Sequence, residues 1–332
     1  MRRLAAAALA ALLCACAPPA PLPKGPMPMT AAVAVAAAPV PLDAQNPTTT
    51  RVGRFIYAGG VALTSSDTAR LHGLSDIKVW SNGRFLAQGD EADQVEGRLR
   101  LDAGGRLVGV SDVRIHPLKG PDGQDLYAKG ARSRDAEGVA EFPNGDRLVS
   151  FEQQDRVLLF PAGGEPPREA PKPDIAWRYN QGMEALDLDP AAGPDAYRVG
   201  VEATGATYLC RVSAGCVPGP VVAQGDGFDL VALAMLPGRR IAYLLRAFDA
   251  ARGNRIILRI TGADGATLDE LTLARPLVTE NLEGVAAVPG RGRTVRFYLV
   301  SDDNFGTYNG VPTGQRTLLV AFDWAPAGST AK

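Results

Sequence analysis

Acidic residues recur in this sequence at matched places. Glu137, Glu184, Asp229 and Glu283 each open a short apolar run, as in Glu283-Gly284-Val285-Ala286-Ala287-Val288. A turn rich in Pro, Gly or Asn follows each one. A second apolar run then ends on another polar group: Glu152, Glu202, Arg246 and Asp302-Asp303-Asn304 respectively. A weaker copy opens at Asp76, turns at Asn82-Gly83 and runs on toward Asp90 and Glu91. In all five copies the opening acid and the closing polar residue stand 14 to 19 positions apart. Two carboxylates about 4 Å apart repel by roughly 4 kcal/mol at an effective dielectric near 20. A gathering of five or more therefore needs a cation or protons. Oxygen ligands of this kind favour Ca²⁺ or Mg²⁺ over zinc, and Asn180, Gln181, Asn281 and Asn304 offer neutral oxygens besides. Any single acid of the set could instead cap a turn or bond a neighbouring backbone N–H, but the set as a whole reads better as one shared polar site. Arg246 stands where other copies carry an acid, which suits an anion-binding group or a salt bridge to a neighbouring carboxylate.

Other chemistries find little support. No G-x-S-x-G elbow, P-loop, dinucleotide fingerprint or H-E-x-x-H occurs. Of the two histidines, His116 precedes Pro117 and reads as loop. His72 lies four residues before Asp76 and could line the site as acid, base or ligand. With 35 Lys and Arg against 36 Asp and Glu, and no basic cluster with interleaved aromatics, nucleic-acid binding is unsupported.

Elements must bring these side chains together. The apolar runs are too short for helices, rich in β-branched and aromatic residues, and bounded by turn formers, so they read as strands. Repeated β units of this size point to an all-β propeller, whose sheets bury one another's faces around an axis. Six units can be counted: residues 71–101, a less regular one at 105–130, and those opening at Glu137, Glu184, Asp229 and Glu283. Leftover strands at both ends, near Arg51 and at Thr317–Trp324, predict closure of the ring by pairing of N- and C-terminal strands. A six-bladed propeller over 51–325 is the expectation, in a monomeric chain.

The N-terminus sets the expected compartment. Arg2-Arg3, the apolar run Leu4 to Leu13 and Leu13-Cys14-Ala15-Cys16 make a charged region, a short apolar core and a small-residue cleavage site. This resembles a bacterial lipobox, with residues 1–15 removed and Cys16 lipidated at the periplasmic face of a membrane. Ordinary cleavage giving a soluble periplasmic or secreted protein is the alternative. Residues 16–50 are Ala/Pro-rich and read as a disordered tether, and 326–332 as a disordered tail. In an oxidising compartment, Cys210 and Cys216 suit a disulfide across a hairpin.

Several longer pieces carry a family resemblance: Gly73-Leu74-Ser75-Asp76, Asp135-Ala136-Glu137-Gly138, Ser150-Phe151-Glu152 with Arg156, and Asn180-Gln181-Gly182-Met183-Glu184-Ala185-Leu186. Asn281-Leu282-Glu283-Gly284, Ser301-Asp302-Asp303-Asn304-Phe305 and Gln315-Arg316-Thr317-Leu318-Leu319 complete the set. On these pieces the chain resembles the phytase-like family of exported bacterial proteins, also called "esterase-like activity of phytase". The resemblance implies an acid-rich propeller and a phosphoesterase acting on small phosphate esters. In that reading Glu137, Glu184, Glu283, Asp302 and Asp303 hold calcium, and Glu152 and Glu202 stand behind them or act as general base. Arg246 and Arg156 clamp phosphate, while Asp76, Asp229, Asn281 and Asn304 contribute to the circle. A non-catalytic lipoprotein propeller that binds a sugar, peptide or protein is the main alternative, and a lactonase-like hydrolase a weaker one.

Overall fold

The short apolar runs between turn formers are strands in the computed structural model, which describes residues 31–308 and 311–326. They form five large antiparallel sheets and a two-stranded one, Thr307–Tyr308 with Val311–Pro312. Blade 1 runs outward through Leu74–Val79, Arg84–Gly89, Asp93–Leu101 and Leu107–Pro117. Blade 2 comprises Ala136–Glu141, Arg147–Phe151, Arg156–Phe160 and Arg168–Ala170. Blade 3 comprises Ala185–Leu188, Ala196–Gly200, Ala206–Arg211 and Gly215–Val221. Blade 4 comprises Asp229–Leu236, Arg240–Asp249, Gly253–Thr261 and Thr267–Leu273. Blade 5 takes Leu282–Pro289, Val295–Ser301 and Leu318–Trp324 from the end of the chain, then Phe55–Ser65 from its beginning.

The five innermost strands make a closed circuit, each packing on the next and the strand Leu282–Pro289 returning to Leu74–Val79. Five apolar clusters fill the five gaps between neighbouring blades. Between blades 2 and 3, for example, Ala140, Leu148 and Val157 meet Met183, Leu186 and Tyr197. Between blades 4 and 5, Leu244 and Leu258 meet Leu282, Phe297 and Trp324. The all-β propeller is therefore as expected, but the ring has five blades and not six. The irregular unit at 105–130 lacks an acid-led inner strand because Leu107–Pro117 is the outer strand of blade 1, paired to Asp93–Leu101. Counting turn-bounded strand pairs split one four-stranded sheet into two units.

Ring closure follows the expectation: Leu318–Trp324 pairs antiparallel with Phe55–Ser65, from Leu318↔Ala62 to Trp324↔Phe55. The tether is corrected over residues 31–50. Val35–Pro39 adds to the edge of blade 5, Ala31–Ala32 to the edge of blade 1, and Val33, Val40 and Leu42 are buried. Alternating small apolar residues pair there despite their Ala/Pro-rich composition, since an outermost strand tolerates both. The leader, Cys16, residues 16–30 and the tail after residue 326 lie outside the described residues. Among the described residues no helix is long and apolar enough to cross a membrane. Cys210 and Cys216 face each other in the outer hairpin of blade 3 and form a disulfide.

Candidate functional site: an acidic mouth

Four of the inner strands carry a bulge at the same place, where register slips by one residue. It falls at Ser75 in blade 1, Glu137-Gly138 in blade 2, Val231 in blade 4 and Glu283 in blade 5. In blades 1, 2 and 5 the extra residue turns its side chain toward the end of the axis, whereas Val231 stays in the apolar core. Ser75, Glu137 and Glu283 accordingly line one cavity of about 900 Å³ at that end, joined by Glu184, which stands just before the unbulged inner strand of blade 3. The residue after the acid must be small. A Cβ on Gly284 would stand 2.7 Å from Asp76 Cα of blade 1, and one on Gly138 would stand 2.5 Å from Leu186 Cβ of blade 3. The Glu-Gly pair thus joins a ligand-like side chain to a point where two blades touch.

Second strands supply a second circle. Asp90, Glu152, Glu202 and Asp302 stand just beyond the ends of those strands and Arg246 three residues inside the end of its own; the five, one per blade, line the same cavity, joined by Asp135 and Asn281. Eight carboxyl groups thus face a single guanidinium in the depth of the mouth: Asp90, Asp135, Glu137, Glu152, Glu184, Glu202, Glu283 and Asp302, against Arg246. Oxygens of Asp135, Glu137 and Glu152 lie within 4.8 Å of one another, and so do those of Glu152, Glu184 and Glu202. Glu152 belongs to both trios and also accepts the Gly182 N–H. On the other side, Arg246 Nη1 donates to Asn281 Oδ1 at 2.8 Å, while its Nη2 pairs with Glu283 at 3.3 Å and stands 3.9 Å from Glu202. Asn281 Nδ2 donates to Glu283 Oε1 at 2.9 Å and to Asp302 Oδ2 at 3.2 Å. Asp90 Oδ1, Glu184 Oε2 and Arg246 Nε are buried without a hydrogen-bond partner.

Burial and mutual repulsion act together on these acids. Burial first, then Glu202 and Asp135 against the opposing Gly182 N–H, pushes Glu152 up to about 8. Burial and Glu283 push Asp302 up to about 8. Burial raises Glu202 to about 7 against the pull of Arg246. Glu137, Glu184 and Asp90 are driven well above the ordinary carboxyl range by burial and by neighbouring carboxylates. Arg246 stays firmly protonated: burial opposes its charge, but Glu283, Glu184 and Glu202 outweigh it.

The structure brings most of the expected residues together and leaves six off the cavity wall: Asp76, Asp229, Asp303, Arg156, His72 and Gln181. Asp76 follows the bulge position instead of occupying it, and a shift of one residue turns a strand side chain to the other face. Its carboxyl is buried away from the mouth, accepting the N–H of Ile77 at 2.7 Å and of Val139 in blade 2 at 3.0 Å, with Lys78 Nζ 3.0 Å away. Asp229 pairs in register with Arg246 but is no part of the cavity wall, because the acid stands two residues before its blade's bulge at Val231. Asp303 accepts the N–H of Gly73 at 3.0 Å and the Thr317 hydroxyl at 2.9 Å, tying blade 5 to blade 1. Arg156 stacks on Phe151 at 4.0 Å and donates to the backbone carbonyls of Gln154 and Ser133, so it braces the chain before Asp135 and does not line the cavity. His72 also stays off the wall, paired to Glu91 at 3.2 Å. In their place come Asp90 and Asp135. Asp90 could have been found by aligning the ends of the second strands, where Gly89-Asp90 matches Phe151-Glu152 and Ser301-Asp302.

A family model described as "Phytase-like: Esterase-like activity of phytase" matches residues 69–305. No curated protein matches. Solved structures of similar shape include a luciferin-regenerating enzyme, at 11% identity and TM-score 0.46, covering 84% of this chain and 90% of that one. A streptogramin B lyase is similar at 12% identity and TM-score 0.42, covering 87% and 97%. Virginiamycin B lyase from Staphylococcus aureus is similar at 8% identity and TM-score 0.43, covering 88% and 99%. The propeller assignment stands on this chain's own closed circuit of strands and not on these likenesses.

Proposed function

The chain belongs to the phytase-like family, and from that premise we propose that it is a metal-dependent hydrolase of phosphoric esters acting at the acidic mouth. The observation that carries this reading is the gathering of eight carboxyl groups against one half-buried guanidinium, with oxygens of Asp90 and Glu184 left unpartnered. An all-oxygen donor set of this density suits a hard divalent cation, calcium foremost. Glu137, Glu152 and Glu184, with Asp135 and Glu202 beside them, are the residues that would hold it, since their oxygens already converge. When bound, such a cation supplies a Lewis acid for a phosphoryl oxygen and eases ionisation of water.

The remaining roles fall to the chain. Arg246, fixed by Asn281 and Glu283, would present its guanidinium to a phosphoryl oxygen. Glu283 and Asp302, which the sequence reading gave to the cation, serve here to orient Arg246 and Asn281. Glu202, held near 7, is suited to carry a proton to or from the ester at neutral pH. Export and attachment through Cys16 belong to the same reading, and labelling of the expressed protein with radioactive palmitate tests them. For the activity, purified protein is assayed on phosphomonoesters and phosphodiesters with calcium and then with chelator. Turnover that disappears with chelator and returns with calcium is expected; turnover indifferent to chelator, or none on any ester, would overturn the reading.

A further inference from the structure

Beyond the reaction class, the cavity wall speaks to the substrate. Phe248 lies two residues after Arg246 on the same strand, Arg240–Asp249, so both side chains project from one face, roughly 6–7 Å apart along it. Both line the mouth, yet Phe248 is 65% exposed, a large apolar ring presented to the cavity. Pro41, Pro276 and Leu277 continue this apolar rim on the side of blades 4 and 5. The cations of the rim are Arg275 and Arg316, and Arg316 is already paired with Glu280 at 2.8 Å. A substrate bearing many phosphates would therefore meet a deep wall of carboxyl groups and little positive charge at the entrance.

We propose that the substrate is an ester of a single phosphate with an apolar alcohol, whose organic part rests on Phe248 while its phosphoryl group faces Arg246. This rests on the hydrolase reading above, and the spacing along the strand carries it. A phosphoryl group at Arg246 directs its alcohol outward, over the exposed ring. Polyphosphorylated polyols are disfavoured by the same wall, because each added phosphate brings charge and, among the described residues, the rim offers only Arg275 and the carboxylate-paired Arg316 to meet it.

Benzyl phosphate and ethyl phosphate have leaving alcohols of similar acidity and differ mainly in apolar area. With calcium present, benzyl phosphate should be hydrolysed with a kcat/KM about ten- to a hundredfold above ethyl phosphate, the range expected for seating one ring. Inositol hexakisphosphate should be the poorest of the three. Phe248→Ser, at an exposed position, should shrink the benzyl-to-ethyl ratio by about tenfold. Equal rates on the two esters, preference for the hexakisphosphate, or a ratio untouched by Phe248→Ser would overturn the proposal. Binding of benzylphosphonate and ethylphosphonate, measured by calorimetry with calcium, separates it from the reaction class. If no ester turns over but benzylphosphonate binds more tightly in a Phe248-dependent way, the hydrolase reading falls and the rim assignment stands. If neither phosphonate binds, both fall.

Discussion

Replacing Asp76 by alanine separates a structural acid from a metal-holding one. The sequence places this residue in the circle of acids, whereas its carboxyl is 1% exposed and points between blades 1 and 2. The substitution removes three partners at once: the N–H of Ile77, the N–H of Val139 and the ammonium of Lys78. Lys78 would be left with Asp187 at 4.0 Å as its remaining carboxylate. Breaking one partner out of a buried ion pair costs about 3–5 kcal/mol, and the orphaned Val139 N–H adds to the upper part of that range. For a chain of this size each kcal/mol lowers Tm by roughly 2–4 °C, so a fall on the order of 10 °C is expected. Asp76→Asn, which keeps one acceptor oxygen, should lose about half as much. Scanning calorimetry of both variants with calcium and with chelator is the assay. The fall should be the same in both media, and the calcium-induced rise in Tm should survive. A variant as stable as the parent in chelator but no longer stabilised by calcium would refute the placement of Asp76 and return it to the site.

Three further outcomes follow from the geometry. In chelator, Tm should fall as pH rises from 5 to 9: Glu152 and Asp302 titrate near 8 and Glu202 near 7 in the folded protein. The folded chain then holds more protons than the unfolded one, so their favourable contribution is complete below the ordinary carboxyl range and lost as pH passes through 7 to 8. Calcium should flatten that slope, and a Tm that climbs with pH in chelator would contradict the burial of these acids. Glu184→Gln should leave chelated protein as stable as the parent or more so, since one crowded charge is gone, while shrinking the calcium-induced stabilisation by about 1–3 kcal/mol in a titration followed by melting. Gly284→Val should lower the urea midpoint by the equivalent of about 1–3 kcal/mol or more, because its Cβ has nowhere to go but into Asp76 Cα and Val300.

Much of this architecture was legible in the sequence. Acid-led strands announced the propeller and Glu137, Glu184 and Glu283, and at Glu137 and Glu283 the Glu-Gly step marks a bulge and a close approach together. Pairing of the terminal strands was legible too, in the unmatched apolar runs near Arg51 and Leu318. What stayed hidden depends on register. Ser75-Asp76 places an acid one step too late and Asp229 two steps too early, and nothing in a single sequence shows which residue of such a step is the bulged one. The blade count failed for a related reason: Leu107–Pro117 has turns on both sides like an inner strand, and only its hydrogen bonds to Asp93–Leu101 reveal an outer one. Asp303 sits beside Asp302 in sequence, yet in the turn after the strand its carboxyl is taken by the Gly73 N–H and the Thr317 hydroxyl and does not line the cavity.

The seam of blade 5 has a consequence for how the molecule is made. Phe55–Ser65 is made before the other four blades but meets its partner, Leu318–Trp324, only after all four have followed it. Until then blade 5 lacks an outer strand, and the gaps on either side of it hold no finished core. Contacts between residues so distant along the chain form slowly, and the exposed edges waiting for them invite misassociation. The circle is thus completed last at the place where its two chain ends clasp, which is where a chaperone or a competing strand has its longest opportunity to act.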